Sequence, residues 1–399
     1  MPQVRWLLPF SVLSLVATAC TERGREAPAT EPRVASSDQS VRATPAAPLA
    51  STAPAPPASS RNVSPASASV DVWSSREACE RALATGARLP RPDDKVRVGT
   101  WNIRWFPDGK PGKRPAANGS GTDVAWLACA IAWLGVDALS VQEFKNTAWA
   151  QQQTQALLQK LSKHTGATWR LQLDDCDRRS SQHVGVLWRT DRLQAGKPLV
   201  LAELNPHGEA CKDQLRPGLA LPLTRGAGID FILVSLHAKS GTKKRDLGLR
   251  RRSAAQLAAA IGKLDRERAE RDVILAGDFN TMGCSSCNPR VSASEELAAF
   301  DQHLGTVARR VRTTPDCSHA YRGGAASLDH LVVRLDEAEL HPSATAVSSG
   351  YCGLQGCVFK SSSGAAQERL SDHCPVLLDL NDVDADAPAT GMPGGSSQD

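Results

Sequence analysis

The stretch from Val273 to Thr281 strongly constrains the fold, because an apolar run stops abruptly at polar residues. Its first four residues, Val-Ile-Leu-Ala, suit a strand that is covered on both faces. Gly277, Asp278 and Asn280 belong to the polar end. These are ordinary turn residues, so the stretch alone is equally consistent with a simple strand-to-turn junction. A carboxylate at the mouth of a buried strand is costly to desolvate, however, and this cost favours partners from other parts of the chain.

From Val96 onward, strand-like runs alternate with helix-like runs. The apolar patterns predict strands at 95–103, 136–142, 168–173, 183–189, 219–224, 229–237, 272–278, 328–334 and 375–380. They predict helices at 74–88, 122–134, 147–164, 248–270 and 293–304. Within 168–189 and within 219–237, two strands follow each other with no helix between them. This order favours antiparallel hairpins inside a layered α/β domain over a doubly wound parallel sheet.

The first 20 residues are typical of an export signal. Arg5 precedes the apolar stretch Trp6–Val16, which is too short to span a membrane, and small residues lead into Cys20. This ending resembles the lipid-attachment motif of bacterial lipoproteins, in which the cysteine is acylated. We therefore predict a signal peptide at 1–19 and an extracytoplasmic protein that is anchored to a bacterial membrane through a lipid on Cys20. Simple secretion is the alternative.

Composition divides the rest of the chain into three parts. Residues 20–72 are rich in Ala, Pro, Ser and Thr and hold few large apolar residues, which predicts a disordered tether. The Gly/Pro/Ser-rich stretch 383–399 predicts a disordered tail, so that 73–382 form one folded domain. The net charge of +5 permits an anionic partner without requiring one.

The cysteines agree with an oxidising compartment. There are 11, and without Cys20 an even number remains, which suits disulfide bonds. The close pairs Cys284 with Cys287 and Cys352 with Cys357 are candidates for local bridges. A zinc site at Cys284-x-x-Cys287 is the alternative, and it is disfavoured because no second pair of suitable ligands is visible.

Several other predicted strands also end in, or are preceded by, polar residues. These residues are Asn102, Glu143, His237, Asp329 with His330, and Asp372 with His373. Each one alone is unremarkable, since an Asn at a strand end is usually a turn residue and a single His is usually a core residue. Polar groups at one edge of a sheet converge on a common cleft, so the whole set predicts an active site there.

The same residues lie in short motifs that occur in a familiar order. The motifs are Trp101-Asn102-Ile103-Arg104, Gln142-Glu143, Leu236-His237, Gly277-Asp278-Phe279-Asn280, Ser327-Leu328-Asp329-His330 and Ser371-Asp372-His373-Cys374-Pro375. Together they resemble the endonuclease/exonuclease/phosphatase superfamily. The resemblance implies a deoxyribonuclease I-like α/β fold, a four-layered α/β sandwich in which two packed mixed β-sheets are flanked by helices. Apurinic endonucleases carry a metal-associated Asp where this chain has Arg104, so the resemblance does not imply specificity for abasic sites.

The motifs predict a divalent cation and its ligands. Glu143 is the best candidate, because a carboxylate at a sheet edge suits a hard cation such as Mg²⁺, with Mn²⁺ or Ca²⁺ as alternatives. Asp372 and Asn102 are predicted to contribute as well.

The catalytic residues implied by the resemblance are His237, Asp278, Asn280, Asp329 and His373. His373 would act as general base with its tautomer fixed by Asp329, and His237 would donate a proton or a hydrogen bond to a substrate oxygen. Asp278 and Asn280 would position the water and the phosphate oxygens. In deoxyribonuclease I a Glu pairs with the second His, and the corresponding region here offers Asp174, Asp175 and Asp177, so the partner of His237 is one of these or is absent.

Basic residues near these motifs are candidates for contacts with a phosphate backbone. The run 243–252 begins with Lys243, Lys244 and Arg245, and it follows a catalytic strand end closely. Arg104 and Lys145 stand beside Asn102 and Glu143. The run is equally typical of a solvated helix start.

These features predict a monomeric, metal-dependent phosphodiester hydrolase. The favoured activity is that of an extracytoplasmic DNA endonuclease, with RNA as an additional candidate substrate. In this view 73–382 are the catalytic domain and the only membrane contact is the lipid. A phospholipid phosphodiesterase of sphingomyelinase type is the alternative, although aromatic residues are only 5% of the chain and form no apolar hairpin. A non-catalytic surface-binding protein on the same fold is a third hypothesis, disfavoured by the complete set of acids and histidines.

Overall fold

The computed structural model describes residues 72–112, 121–176, 182–268, 270–321, 323–359 and 364–385. The predicted signal peptide, Cys20, the tether up to residue 71 and the tail from residue 386 lie outside these ranges, as does Asp177. In the described ranges no helix is both long enough and apolar enough to cross a membrane.

The elements follow each other as an α/β succession. The helices are α1 (Arg76–Ala84), α2 (Val124–Leu134), α3 (Ala148–Thr165), α4 (Lys244–Ala255), α5 (Leu257–Glu267), α6 (Ala293–Leu304), α7 (Gly350–Gln355) and α8 (Ala365–Arg369). The strands are β1 (Lys95–Phe106), β2 (Ala138–Phe144), β3 (Trp169–Leu173), β4 (His183–Arg189), β5 (Gln194–Ala195), β6 (Leu199–Leu201), β7 (Gly218–Thr224), β8 (Asp230–His237), β9 (Val273–Asp278), β10 (Arg309–Arg310), β11 (Arg312–Thr314), β12 (His319–Tyr321), β13 (Gly324–Ala326), β14 (Asp329–Arg334), β15 (Thr345–Ser348) and β16 (Val376–Asn381).

Two large sheets are both mixed. The first has the order β11-β15-β16-β1-β2-β4-β3, and the second has the order β10-β14-β9-β8-β7-β5, with β6 also paired to β7. In the first sheet β1 and β2 are parallel, and in the second β8 and β9 are parallel, while most other pairs are antiparallel. The hairpin β12–β13 stands apart from both.

Three apolar clusters show that the domain has four layers. One lies between the two sheets and includes Val98, Val186, Leu233 and Ile274. A second covers the outer face of the first sheet with α1, α2 and α3, and a third covers the outer face of the second sheet with α5 and α6. The predicted four-layered α/β sandwich of two packed mixed sheets is therefore confirmed.

The long elements match the sequence patterns and the short ones do not. Each predicted strand corresponds to an observed strand. The helix predicted at 248–270 is wrong as a single element: α4 begins at Lys244, because Asp246 caps the Lys243 N–H at 3.2 Å, and α5 follows after a break at Gln256. The short strands of two to four residues were missed, since so few residues show no period.

Ten cysteines form five disulfide bonds. The local bridge Cys284–Cys287 is confirmed, and it leaves no thiolates for zinc. The bridge predicted between Cys352 and Cys357 is wrong, because these residues pair with Cys374 and Cys317 respectively. The remaining bonds are Cys79–Cys129 and Cys176–Cys211.

Candidate active site

Strand register places three of the predicted residues in a row across the second sheet. His237 at the end of β8 pairs with Asp278 at the end of β9, and Asp278 pairs with Asp329 at the start of β14. Gly277 permits the close approach of β8 and β9, since a Cβ there would lie 2.0 Å from the carbonyl oxygen of Leu236. The run of apolar residues before Asp278 therefore ends where three strands present polar side chains together.

Asn102 joins this row to the first sheet. Its side-chain N–H₂ donates to Glu143 Oε1 at 3.1 Å and to Asp278 Oδ2 at 3.0 Å, and all but 1% of the residue is buried. Glu143 is fixed a second time, because its Oε2 accepts the backbone N–H of Trp105 at 3.0 Å. One amide thus holds carboxylates from two sheets in a single cluster.

His373 and Asp329 form a buried pair at the opposite side of Asp278. His373 Nδ1 lies 2.7 Å from Asp329 Oδ2, and its Nε2 lies 3.8 Å from Asp278 Oδ2. Burial acts to lower the pKa of His373, but the charges of Asp329 and Asp278 outweigh it and raise this pKa to about 10. Burial raises the pKa of Asp329, while the charge and the hydrogen bond of His373 act in the opposite direction. The distance between His373 Nδ1 and Asp329 Oδ2 is that of a hydrogen bond, as the predicted orientation of His373 by Asp329 requires.

The charge of His373 bears on its predicted role as general base. A protonated imidazole can only donate, so the ring must lose a proton before it can accept one. A divalent cation bound at the neighbouring carboxylates would favour that loss, because positive charge opposes protonation.

His237 differs from His373 in its surroundings. Its Nε2 lies 3.3 Å from Asp278 Oδ2 and 3.8 Å from Glu143 Oε1. Burial, together with the charge of Arg216, lowers the pKa of His237, which favours a neutral ring whose Nε2–H faces the carboxylates. Its buried Nδ1 has no hydrogen-bond partner among the described residues.

Of the carboxylates proposed as partners of His237, Asp174 is excluded. Asp174 instead lies 2.9 Å from Nδ1 of His183 and accepts the backbone N–H of Val184. Asp175 is exposed. The buried carboxylate of the β3–β4 hairpin, Asp174, therefore pairs with His183 of the same hairpin. The nearest carboxylate to His237 is that of Asp278.

Asp278 lies at the centre of the cluster. Burial acts to raise the pKa of its carboxyl, but the charge of His373 and hydrogen bonds from His237 and Asn102 hold this pKa well below its usual range. Its other oxygen accepts the backbone N–H of Asn280 at 2.8 Å. Asn280 is itself buried, and its amide donates to the carbonyl of Ala238 at 3.2 Å.

The residues fit a hard divalent cation, with one correction to the predicted ligands. The donors near Glu143 are carboxylates, which suit Mg²⁺. Asn102 presents its N–H₂ group to Glu143, and its Oδ1 accepts the backbone N–H of Arg104 at 2.9 Å. Asn102 therefore positions the carboxylates, and its oxygen does not face a cation bound at Glu143. Asp372 is half-buried and adjacent to His373 in the chain, and its role as a metal ligand stays a prediction.

A second group of close ligand atoms lies in the same cluster. One such atom from each of Asp278, Asp329 and His373 falls within 4.8 Å of the others. Because His373 and Asp329 are already paired, Glu143 with its 13% exposed side chain is the better candidate for first contact with a cation.

The predicted substrate-contacting cations divide into accessible and buried ones. Lys145 is wrong as a backbone contact, because its ammonium is buried 2.5 Å from Asp108 Oδ2 and donates to the carbonyl of Gly112. Arg104 donates to the carbonyl of Glu368 at 2.7 Å and is half-buried. Lys243, Lys244 and Arg245 are exposed at the start of α4. Within the same run Arg250 is buried in a pair with Glu296, so the run is not solvated throughout.

Arg216 is a residue that the sequence analysis missed. It is half-buried, its Nη2 donates to the carbonyl of Ala238, and burial lowers its pKa while the charges of Glu143 and Asp278 act in the opposite direction. It therefore adds a cation beside the carboxylates. The β7–β8 hairpin register could have identified it, because Leu219 pairs with Ser235 and this places residue 216 opposite the end of β8.

Ser318 and His319 were also missed. Ser318 Oγ donates to Asp329 Oδ2 at 2.7 Å and accepts the backbone N–H groups of Leu328 and Asp329. The ring of His319 lies against that of His373, with centroids 4.6 Å apart. No strand pattern marked them, because they lie in a short hairpin outside the two sheets.

Comparison with known proteins adds structures of similar fold. No family model matches the sequence, and no curated protein matches it either. The chain is similar to an endonuclease/exonuclease/phosphatase from Bacteroides vulgatus at 15% identity, with a TM-score of 0.47, over 72% of this chain and 99% of that one. D. rerio TDP2 in complex with a single strand DNA product matches at 15% identity and a TM-score of 0.47, over 72% of this chain and 100% of that one.

The human Nocturnin catalytic domain with bound sulfate anion matches at 13% identity and a TM-score of 0.45, over 74% of this chain and 97% of that one. At these identities the likeness is one of fold.

Proposed function

We propose that the protein is a metal-dependent phosphodiester hydrolase that cleaves nucleic acid outside the cytoplasm, with DNA as the favoured substrate. One observation carries the proposal: Asn102 holds Glu143 and Asp278 together, and a histidine stands on each side of Asp278. A carboxylate for a hard cation and two differently charged imidazoles thus meet at one point.

Phosphodiester hydrolysis requires charge neutralisation, an activated water and protonation of the leaving oxygen. A cation at Glu143 would supply Lewis acidity when bound. The residues of the chain do the rest: Arg216 adds positive charge beside Glu143 and Asp278. The single N–H of neutral His237 lies at Asp278, and it would turn from this carboxylate to a substrate oxygen that enters the site. His373, oriented by Asp329, exchanges a proton with the water or the leaving group.

Exposed cations favour a long anionic substrate. Lys243, Lys244 and Arg245 begin α4, six residues or more after His237 in the chain. Exposed lysine and arginine side chains contact phosphates without reading base sequence, which suits an enzyme of low sequence specificity.

The location is proposed from the N-terminal sequence. Small residues before Cys20 favour lipid attachment outside the cytoplasm. The five disulfide bonds support an oxidising compartment, because such bonds are rare in the cytosol.

A substrate screen with two variants tests the proposal. Purified protein is incubated with plasmid DNA, single-stranded RNA and sphingomyelin vesicles, each with Mg²⁺ or with a chelator. We expect Mg²⁺-dependent cleavage of DNA by the wild type and by Glu203→Gln, and no cleavage by Glu143→Gln. Glu203 is a suitable control because its carboxylate lies between β6 and β7 and pairs with Lys263 of α5 at 3.2 Å. Hydrolysis of sphingomyelin alone would support the phospholipase hypothesis instead, and hydrolysis of nothing would support a binding protein.

A further inference from the structure

Three aromatic rings form a row that starts at the active site. The ring of His373 lies 4.6 Å from that of His319, and the ring of His319 lies 6.3 Å from that of Tyr321, with the last two planes only 23° apart. His319 and Tyr321 are two positions apart on β12, so they share one face of the strand. The row leads from a buried imidazole to the surface, because Tyr321 is 56% exposed.

Backbone hydrogen bonds fix this row to the catalytic segment. The Ala320 N–H donates to the carbonyl of Asp372 at 3.0 Å, and the Cys374 N–H donates to the carbonyl of Ser318 at 2.7 Å. The strand β12 therefore runs beside the segment that carries His373. The side chain of Gln367 donates to the carbonyl of Ala320 at 2.6 Å and braces it from α8. A ring on β12 thus has a defined position relative to His373.

The partner strand places no side chain directly across from Tyr321. In the register of the hairpin Tyr321 pairs with Gly324, whereas the pair Ala320 and Ala325 faces the other side of the hairpin. Both Gly324 and Ala325 are exposed. A large, flat aromatic face among residues this small is suited to contact with another flat group.

We propose that Tyr321 stacks against a nucleobase of the nucleotide next to the phosphate held at His373, which makes unpaired nucleic acid the preferred substrate. The inference rests on the proposed function and names its substrate class. Stacking on an aromatic side chain tolerates any base, because every base has a π-face. In a duplex both faces of a base are covered by its neighbours, so a base can reach Tyr321 only where the strand is unpaired.

Cleavage kinetics test this with three forms of one substrate. These are an unpaired oligonucleotide, the same strand in a duplex, and an unpaired oligomer of abasic tetrahydrofuran residues. The wild type should have its highest kcat/KM on the unpaired oligonucleotide. Tyr321→Ala should raise KM on that substrate by about 5- to 150-fold, the range for one lost base stack, with little change in kcat. On the abasic oligomer Tyr321→Ala and the wild type should be equal.

Two variants control for indirect effects. Tyr321→Phe keeps the stacking face and should behave as the wild type, whereas Val307→Ala removes an exposed apolar side chain near the far end of β14 and should change nothing. A second readout is independent of turnover: with a chelator present, 2-aminopurine in the unpaired oligonucleotide should lose fluorescence on binding to the wild type and to Tyr321→Phe but not to Tyr321→Ala.

The outcomes separate this inference from the proposed function. If the wild type cleaves no nucleic acid, the proposed function fails and the inference fails with it. If the wild type cleaves nucleic acid but prefers the duplex, or if Tyr321→Ala is as active as the wild type on the unpaired strand, only the inference is overturned. An equal loss on the abasic oligomer would also overturn it, because Tyr321 would then act through the position of His373.

Discussion

Replacing Asn102 by Asp gives the sharpest test of the bridge between the two sheets. The Asn102 amide lies 3.1 Å from Glu143 and 3.0 Å from Asp278, so Asn102→Asp would set three carboxylates together. At an effective dielectric constant of about 20, two unit charges at that separation repel by about 5 kcal/mol. The variant should therefore take up a proton in the folded state when no cation is bound.

Proton uptake limits the penalty and makes it depend on pH. Protonating a carboxyl with an ordinary pKa of about 3.9 costs about 4 kcal/mol at pH 7 and about 1.5 kcal/mol at pH 5. A carboxyl whose folded-state pKa is raised lowers stability above its unfolded pKa, and the penalty fades as pH falls toward about 4. We therefore expect the free energy of unfolding of Asn102→Asp to fall below that of Asn102→Ala at pH 7 by up to about 4 kcal/mol.

Urea unfolding of Asn102→Asp and Asn102→Ala at pH 5 and pH 7, with a chelator present, measures this difference. Asn102→Ala is the comparison variant, since it removes both N–H donors without adding a carboxylate; it also removes the oxygen that accepts the backbone N–H of Arg104, which Asn102→Asp keeps. Adding Mg²⁺ at pH 7 should restore Asn102→Asp more than Asn102→Ala, because a third carboxylate favours a hard cation. Equal stability of the two variants at pH 7 without metal would refute the assignment of Asn102 as the bridge between carboxylates.

Three further predictions concern residues of the same cluster and His330, which faces the other side of β14 beside Thr281 and Phe279. Glu143→Gln should keep the fold and lose most Mg²⁺-dependent activity, which a metal titration of the cleavage rate would check; unchanged activity at low Mg²⁺ would contradict its assignment as ligand. His373→Ala should lower kcat by about 10² to 10⁴-fold, whereas Asp329→Asn should lose less and shift the pH–rate profile toward lower pH, because the charge of Asp329 raises the pKa of His373. Burial, with the charge of Arg310, lowers the pKa of His330 to about 4, so its contribution to stability should be complete above about pH 6.5 and should fall by about 3 kcal/mol as pH drops toward 4. Acid unfolding of the wild type and of His330→Phe, which has no proton to bind, would show this difference.

The long strands and the convergence of the polar residues could be predicted because both depend on local patterns. Buried strands such as β9 are continuous apolar runs, and parallel neighbours end at the same edge of a sheet. Once β1 with β2, and β8 with β9, are taken as parallel pairs, Asn102, Glu143, His237 and Asp278 must lie at matching edges. The sequence was therefore sufficient to predict that these strand ends lie together, but not which hydrogen bonds join their side chains.

What could not be predicted depends on contacts between distant segments. Lys145 was expected at a substrate because it follows Glu143, yet the turn after β1 brings Asp108 to it, and Arg104 and Trp105 both have positive φ in that region. Positive φ at non-glycine residues has no composition signal in the sequence. Cys352 likewise pairs with Cys374 and not with Cys357, which is nearer in the sequence. The pairing depends on distance in the folded structure, which the sequence does not show.

His373 and His237 differ in how closely their surroundings match those that the family resemblance implies. His373 keeps a carboxylate partner, and a serine that the motifs do not include, Ser318, donates to the same oxygen of that carboxylate, Asp329 Oδ2. Among the described residues His237 has no carboxylate of its own, and it shares Asp278, the carboxylate to which Asn102 also donates. Because Asp278 lies close to both imidazoles, a mutation of either histidine alters the electrostatic environment of the other. Mutations of His237 and His373 should therefore be non-additive, and a double-mutant cycle on kcat/KM that gave simple additivity would contradict a shared carboxylate.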